Sequence, residues 1–153
     1  MTHLQYIFLF LVLNFGALAI GSYFMNNGPT SSWYLSLNKA PWTPPGWVFG
    51  VAWTTIMVCF SVYLSYLIGL KNNNIFWLLF SIQFILNTSW NFVFFNQHLM
   101  GFGLVIISLL TLLIGYYLFK FYSEMGIKSW LIVPYFLWLL IATSLNGYSY
   151  LKN

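Results

Sequence analysis

Five apolar runs divide this chain, at about residues 4–25, 44–69, 74–95, 100–122 and 128–150. Each is long enough to cross roughly 30 Å of hydrocarbon as a helix. Lipid offers the backbone no hydrogen-bond partner, so a spanning run of this kind must satisfy its own N–H and C=O groups as a helix. The later breaks are short and polar: Lys71-Asn-Asn-Asn74, Asn96-Gln-His98 and Ser123-Glu-Met-Gly-Ile-Lys128. Short connections make neighbouring helices antiparallel. The pattern predicts an all-α integral membrane protein, with a five-helix transmembrane bundle forming one domain over 1–153. Only 4% of residues are charged, against about 25% in soluble domains, which excludes a water-exposed surface of ordinary size.

The first run needs one check. Ala17-Leu-Ala19 resembles a signal-peptide cleavage site, yet no Lys or Arg precedes the run. It is therefore read as a retained span, and Ala17 and Gly21, four apart, suit a close helix contact. The five lysines are scattered near span ends, which leaves no patch for nucleic acid. Lys71, Lys120 and Lys128 fall on the N-terminal side and Lys39 and Lys152 on the other, an asymmetry favouring a cytoplasmic N-terminus. The absence of a targeting segment points to a bacterial inner membrane. Cys59 lies inside an apolar run and has no partner for an intramolecular disulfide.

What the spans lack narrows the chemistry. The chain has no Asp and no Arg, and its one acid, Glu124, lies in a loop. Proton relays, voltage sensing and carboxylate catalysis all need ionisable groups that these spans do not carry. His3 and His98 lie outside the spans with no second ligand at useful spacing, so no metal site is expected.

Neutral polar groups beside aromatic rings remain. Asn87 and Asn91 share one helix face, with Trp90 between them and Phe94 beyond. Trp138, Ala142 and Asn146 recur every four residues, with Leu145 alongside, and Phe49, Trp53 and Met57 do the same in the second run. One such stripe serves packing as readily as binding, and a lone Asn serves as interhelical glue. Three helices each offering one predict a shared, uncharged aromatic pocket in which amides orient the ligand. Gly46 and Gly50 permit close helix approach, within the bundle or between two copies. The only long connection, about 26–43, holds Ser31-Ser-Trp-Tyr-Leu-Ser-Leu37, expected as a short helix over the bundle mouth, a candidate lid. Thr43 is expected to cap the second span, with Pro44 and Pro45 in its first turn.

Three separated blocks carry a family resemblance. They are Trp33-Tyr34-x-x-Leu37 with Trp42-Thr-Pro-Pro-Gly-Trp-Val-Phe-Gly50 and Trp53-Thr54; then Asn87-x-x-Trp90-Asn91-x-x-Phe94-Phe95; then Pro134-Tyr135-x-x-Trp138-x-x-x-Ala142-Thr-x-Leu145-Asn146. The chain resembles the translocator proteins, also called tryptophan-rich sensory proteins or peripheral-type benzodiazepine receptors. The resemblance implies a five-helix bundle, commonly a homodimer, with a ligand pocket beneath the first loop. It implies porphyrins and other tetrapyrroles as ligands, together with drug-like isoquinoline carboxamides and benzodiazepines, and cholesterol in animal members. By motif position the pocket would use Tyr34, Pro44, Trp53, Asn87, Trp90, Asn91, Trp138, Ala142, Leu145 and Asn146. The expected function is membrane reception or sensing with porphyrin as ligand, no cofactor and no covalent chemistry. Light-dependent porphyrin degradation and transport of porphyrin or small lipids are the alternatives. The chain departs from the family in Lys39-Ala40-Pro41-Trp42, where a proline is shifted by one. Met57 stands where many relatives have Tyr, and Lys39 is the only nearby cation for porphyrin carboxylates.

Overall fold

The computed structural model describes residues 1–153 and contains no strand. Helix α1, His3–Phe24, begins with a reciprocal cap. The Gln5 N–H donates to the Thr2 hydroxyl at 3.3 Å, and the Thr2 N–H donates to Gln5 Oε1 at 2.8 Å. The connection that follows contains a 3₁₀ turn, Gly28–Thr30, and the short helix α2, Ser32–Ser36. The remaining elements are α3 (Gly46–Leu70), α4 (Asn74–Asn91), α5 (Met100–Lys120), α6 (Tyr122–Met125) and α7 (Val133–Lys152).

Two helix ends depart from expectation. Thr43 does not cap α3; its hydroxyl donates to the Ala40 carbonyl at 2.7 Å, closing a turn in the lid connection. Pro45 occupies the cap position and α3 starts at Gly46, so both prolines lie before the helix. The residue before a proline is driven out of the helical region, which keeps Pro44 extended and moves the start past the pair. The last span likewise starts late. A 3₁₀ segment, Gly126–Leu131, meets α7 at a bend of 72°. Pro134 sits in the first turn of α7, where its missing N–H costs no hydrogen bond.

Four helices are long and apolar enough to cross a membrane, and the bent pair makes a fifth if it crosses as one span. Polar positions such as Asn146 and Ser149, both turned inward and buried, make α7 the least apolar of the set. α1 packs between α3 and α4, α5 packs between α4 and α7, and α3 closes the ring against α7. Gly21 permits the α1–α4 contact, since a Cβ there would stand 2.5 Å from Asn91 Nδ2.

The two halves of the ring are filled differently. At the end away from the lid, Phe60, Tyr63, Tyr117 and Tyr135 are fully buried; Phe60 meets Tyr135 and Tyr117 edge to face at 5.2 and 6.1 Å and lies parallel to Tyr63 at 6.3 Å. Tyr63 donates to the Tyr117 carbonyl at 3.1 Å, and Gln83 donates to the Tyr135 hydroxyl at 2.9 Å. These four rings form a solid aromatic plug. Under the lid the bundle axis holds cavities instead.

Candidate ligand-binding site

α4 does not end cleanly. After Asn91 the chain takes one wide π turn, Phe92–Asn96. Such turns shift the register of a helix face and recur at functional sites. Here the turn brings Phe94 and Phe95 up beneath the lid. Phe94 stacks on Trp90 at 5.3 Å and receives the edge of Trp33 at 5.6 Å, while Tyr34 lies 5.3 Å from Phe95.

The lid is fastened at several points. Ser31 caps α2 by accepting from the Tyr34 N–H. Trp42 donates its indole N–H to the Ser144 hydroxyl of α7 at 3.1 Å, while Trp47 remains outward and exposed, as an interfacial anchor should be. Asn38 and Asn153 exchange hydrogen bonds at 2.9 and 3.3 Å, tying the connection to the end of α7. His98 lies flat on Trp33, with ring centroids 4.0 Å apart and planes 13° apart. His98→Ala removes that stack, worth about 1 kcal/mol in an aromatic pair. Amide hydrogen exchange across 31–37 is expected to rise about fivefold in this variant. An unchanged rate would show that the latch is elsewhere.

Three cavities lie under this lid. One of about 240 Å³ is bounded by Pro29, Tyr34, Lys39, Thr43, Pro44, Gly46 and Phe49. A second, of about 250 Å³, lies deeper between α1, α3 and α4, where Trp53, Asn87 and Asn91 face Ala17, Leu18 and Ser22. The third is a slot of only about 40 Å³ running towards α7, between Trp90, Phe94, Ala142, Leu145 and Asn146. Phe49 is a wall of all three. Each alone is smaller than the roughly 300 Å³ lower bound for a small-molecule site, so a sizeable ligand must displace Phe49.

The structure thus gathers all of the predicted site residues except Trp138 around one phenylalanine. Trp138 is buried behind Phe49, ring centroids 5.2 Å apart, and its indole N–H has no partner. Trp53, about 10 Å below the start of α3, sets its edge 5.9 Å from Tyr135 and floors the site on the plug. Trp90 donates to Asn146 Oδ1 at 2.9 Å, and Asn146 donates to the Met100 carbonyl at 3.2 Å, so that amide fixes an indole across the bundle. Asn91 reaches only the Asn87 carbonyl on its own helix, at the long distance of 3.5 Å. Both amides line the deeper cavity, and neither makes a hydrogen bond to another helix.

The electrostatics are simple. Lys39 is the only cation on the walls, with its Nζ 4.6 Å above the Tyr34 ring. Burial raises the Tyr34 pKa above its ordinary value of 10.0, so the phenol stays a neutral donor throughout the physiological range.

The TspO/MBR family model matches residues 8–151. The chain belongs to the TspO/MBR family. It is 33% identical to the protein CrtK of Rhodobacter capsulatus, over 75% of this chain and 74% of that protein. It is 32% identical to the human translocator protein, over 83% of this chain and 78% of that one. A tryptophan-rich sensory protein of Cereibacter sphaeroides is 32% identical over 74% of this chain and 72% of its own length. Membership in the TspO/MBR family, with the apolar helices, makes this a multi-pass integral membrane protein of a sensor and receptor family.

Some walls of this TspO/MBR site were not found from the sequence. Phe49 was read only as part of a stripe, although it separates all three cavities. The α1 residues were missed too, yet Leu18 and Ser22 are one turn apart on the face that begins with Ala17, a spacing that could have found them. Gly46 and Gly50 make no close helix contact within the bundle. A Cβ at either would meet nothing within 4 Å, and each lines one of the two larger cavities. Their missing side chains leave those cavities wider.

Proposed function

We propose that this protein is a membrane receptor that binds porphyrins and related tetrapyrroles beneath the lid, without a covalent step. The observation that carries the reading is the convergence of aromatic faces, free amides and one lysine around Phe49. Flat uncharged walls suit a flat conjugated macrocycle. Asn87 and Asn91 would serve its polar edges, Lys39 a peripheral carboxylate at the mouth, and Trp53 or Trp90 a stacked face. Other flat, hydrophobic, drug-like molecules fit the same description. The tetrapyrrole is ligand rather than cofactor in this reading, and the walls carry no carboxylate or histidine; their only ionisable groups are Tyr34 and Lys39. The aromatic plug argues against transport along the bundle axis, because it blocks the far half. The proposed setting is a bacterial cytoplasmic membrane, with the protein as a homodimer. The exposed apolar stripe of Leu4, Phe8 and Val12 on α1 suits lipid or a second copy.

Gly50→Leu tests the site. The new side chain enters the deeper cavity without meeting a neighbour at its Cβ, so melting should stay within about 0.5 kcal/mol of wild type. Saturable quenching of tryptophan fluorescence by a porphyrin should weaken at least tenfold. Equal quenching in both proteins would remove the cavity from consideration. Running the titration in light and in darkness addresses the chemistry, since a protein-dependent bleaching product under illumination would overturn the claim of binding alone.

A further inference from the structure

At the end of the bundle away from the lid there is a separate cleft of about 240 Å³. It is framed by the last turns of α3 and α5, the first turns of α4, and the short α6. Leu67, Phe76 and Leu79 give it an apolar floor, and Leu79 lies about 7.5 Å along α4 from its start. The rim is charged. Lys71 Nζ pairs with Glu124 Oε2 at 3.0 Å, the chain's only ion pair, so Lys120 is left without a carboxylate. Two lysines against one glutamate leave the rim one net positive charge.

The depth of the cleft decides what it can hold. Its walls are the ends of three membrane-spanning helices, which places Lys120 at headgroup level and the floor at the start of the hydrocarbon. Tyr116 on the wall is the kind of residue found at that boundary. A soluble anion would use the lysine and leave the apolar floor wet. A zwitterionic lipid would cover the floor and offer a phosphate, but would bring its own ammonium group to a rim that is already positive. Basic clefts between transmembrane helices recognise anionic headgroups, with each lysine worth about a fivefold change in affinity.

We propose that this cleft binds a phospholipid of net negative charge, its phosphate on Lys120 and the adjoining chain against Phe76 and Leu79. The site is independent of the ligand cavities under the lid. The Lys71–Glu124 pair tunes it, because Glu124 offsets one of its two cations.

Native mass spectrometry of the detergent-purified protein, offered equal amounts of phosphatidylglycerol, phosphatidylethanolamine and phosphatidylcholine, tests the assignment. Wild type should retain phosphatidylglycerol in preference to the other two. Lys120→Gln should lower that retention about fivefold, with the other two lipids unchanged. Glu124→Gln frees Lys71 and should raise it. Lys152→Gln, at the opposite end, should leave it at the wild-type level. Equal retention of the three lipids by wild type would overturn the proposal. So would an unaffected Lys120→Gln protein, a Glu124→Gln protein with no gain, or a Lys152→Gln protein that loses as much as Lys120→Gln. Displacement of phosphatidylglycerol by equimolar inorganic phosphate would assign the site to a soluble anion and overturn the lipid. Should Lys120→Gln fail to fold by thermal melting, the Glu124→Gln gain decides alone.

Discussion

Replacing Asn146 by leucine is expected to weaken porphyrin binding about tenfold and to cost about 1–2 kcal/mol of stability. The side chain is 2% exposed and makes two bonds that leucine cannot replace. It accepts from the Trp90 indole at 2.9 Å and donates to the Met100 carbonyl at 3.2 Å. Hydrogen bonds between membrane helices average only about 0.6 kcal/mol, so the bonds alone set the lower end of the range. Orphaning the half-buried indole N–H adds desolvation cost, which sets the upper end. Binding suffers because Trp90 is free to turn once its N–H is released, and a stacking surface works only when it is held. Thermal melting and a fluorescence titration measure the two effects separately. Unchanged affinity in a protein that melts earlier would mean that the Asn146–Trp90 bond is structural only.

Much of the fold was legible because a bilayer permits so few solutions. Run length and polar breaks located four long apolar helices and the bent pair that can make a fifth crossing, with the larger errors at helix starts where proline chemistry intervened, at Pro44-Pro45 and Pro134. The amide and aromatic spacings led to faces of three helices that line the cavities, and the motif positions added Tyr34 and Pro44. Two kinds of information were not legible. The π turn after Asn91 arises from tertiary packing beneath the lid, and no local residue pattern marks it. Nor does spacing reveal which of two aromatic residues on one face stands in front. Trp138 and Phe49 were both visible as stripe members, but only packing shows Phe49 at the cavity and Trp138 behind it.

That order underlies the second large effect. Phe49→Ala should raise the association rate of a porphyrin about tenfold while costing about 1–2 kcal/mol of stability. The stability cost is below the 3–5 kcal/mol of a fully buried Phe→Ala change, because Phe49 is only half-buried and already borders open space. The rate argument is one of populations. If a sizeable ligand binds only when the ring has swung aside, affinity is reduced by the fraction of time it spends there. An alanine makes the joined cavity permanent. It also uncovers the indole N–H of Trp138, which has no partner in the closed arrangement, so quenching should then extend to that residue. Stopped-flow mixing reads the rate directly. An association rate equal to wild type would show that Phe49 is a wall and not a gate.

The aromatic plug of Phe60, Tyr63, Tyr117 and Tyr135 gives the proposed pocket a single mouth. In a blind chamber of this kind, the occupant must depart before its replacement arrives. A competing molecule added in excess can claim the vacated space but cannot push from behind. The measured residence time should therefore be the same at every competitor concentration, and its length would be set by how often the lid lifts.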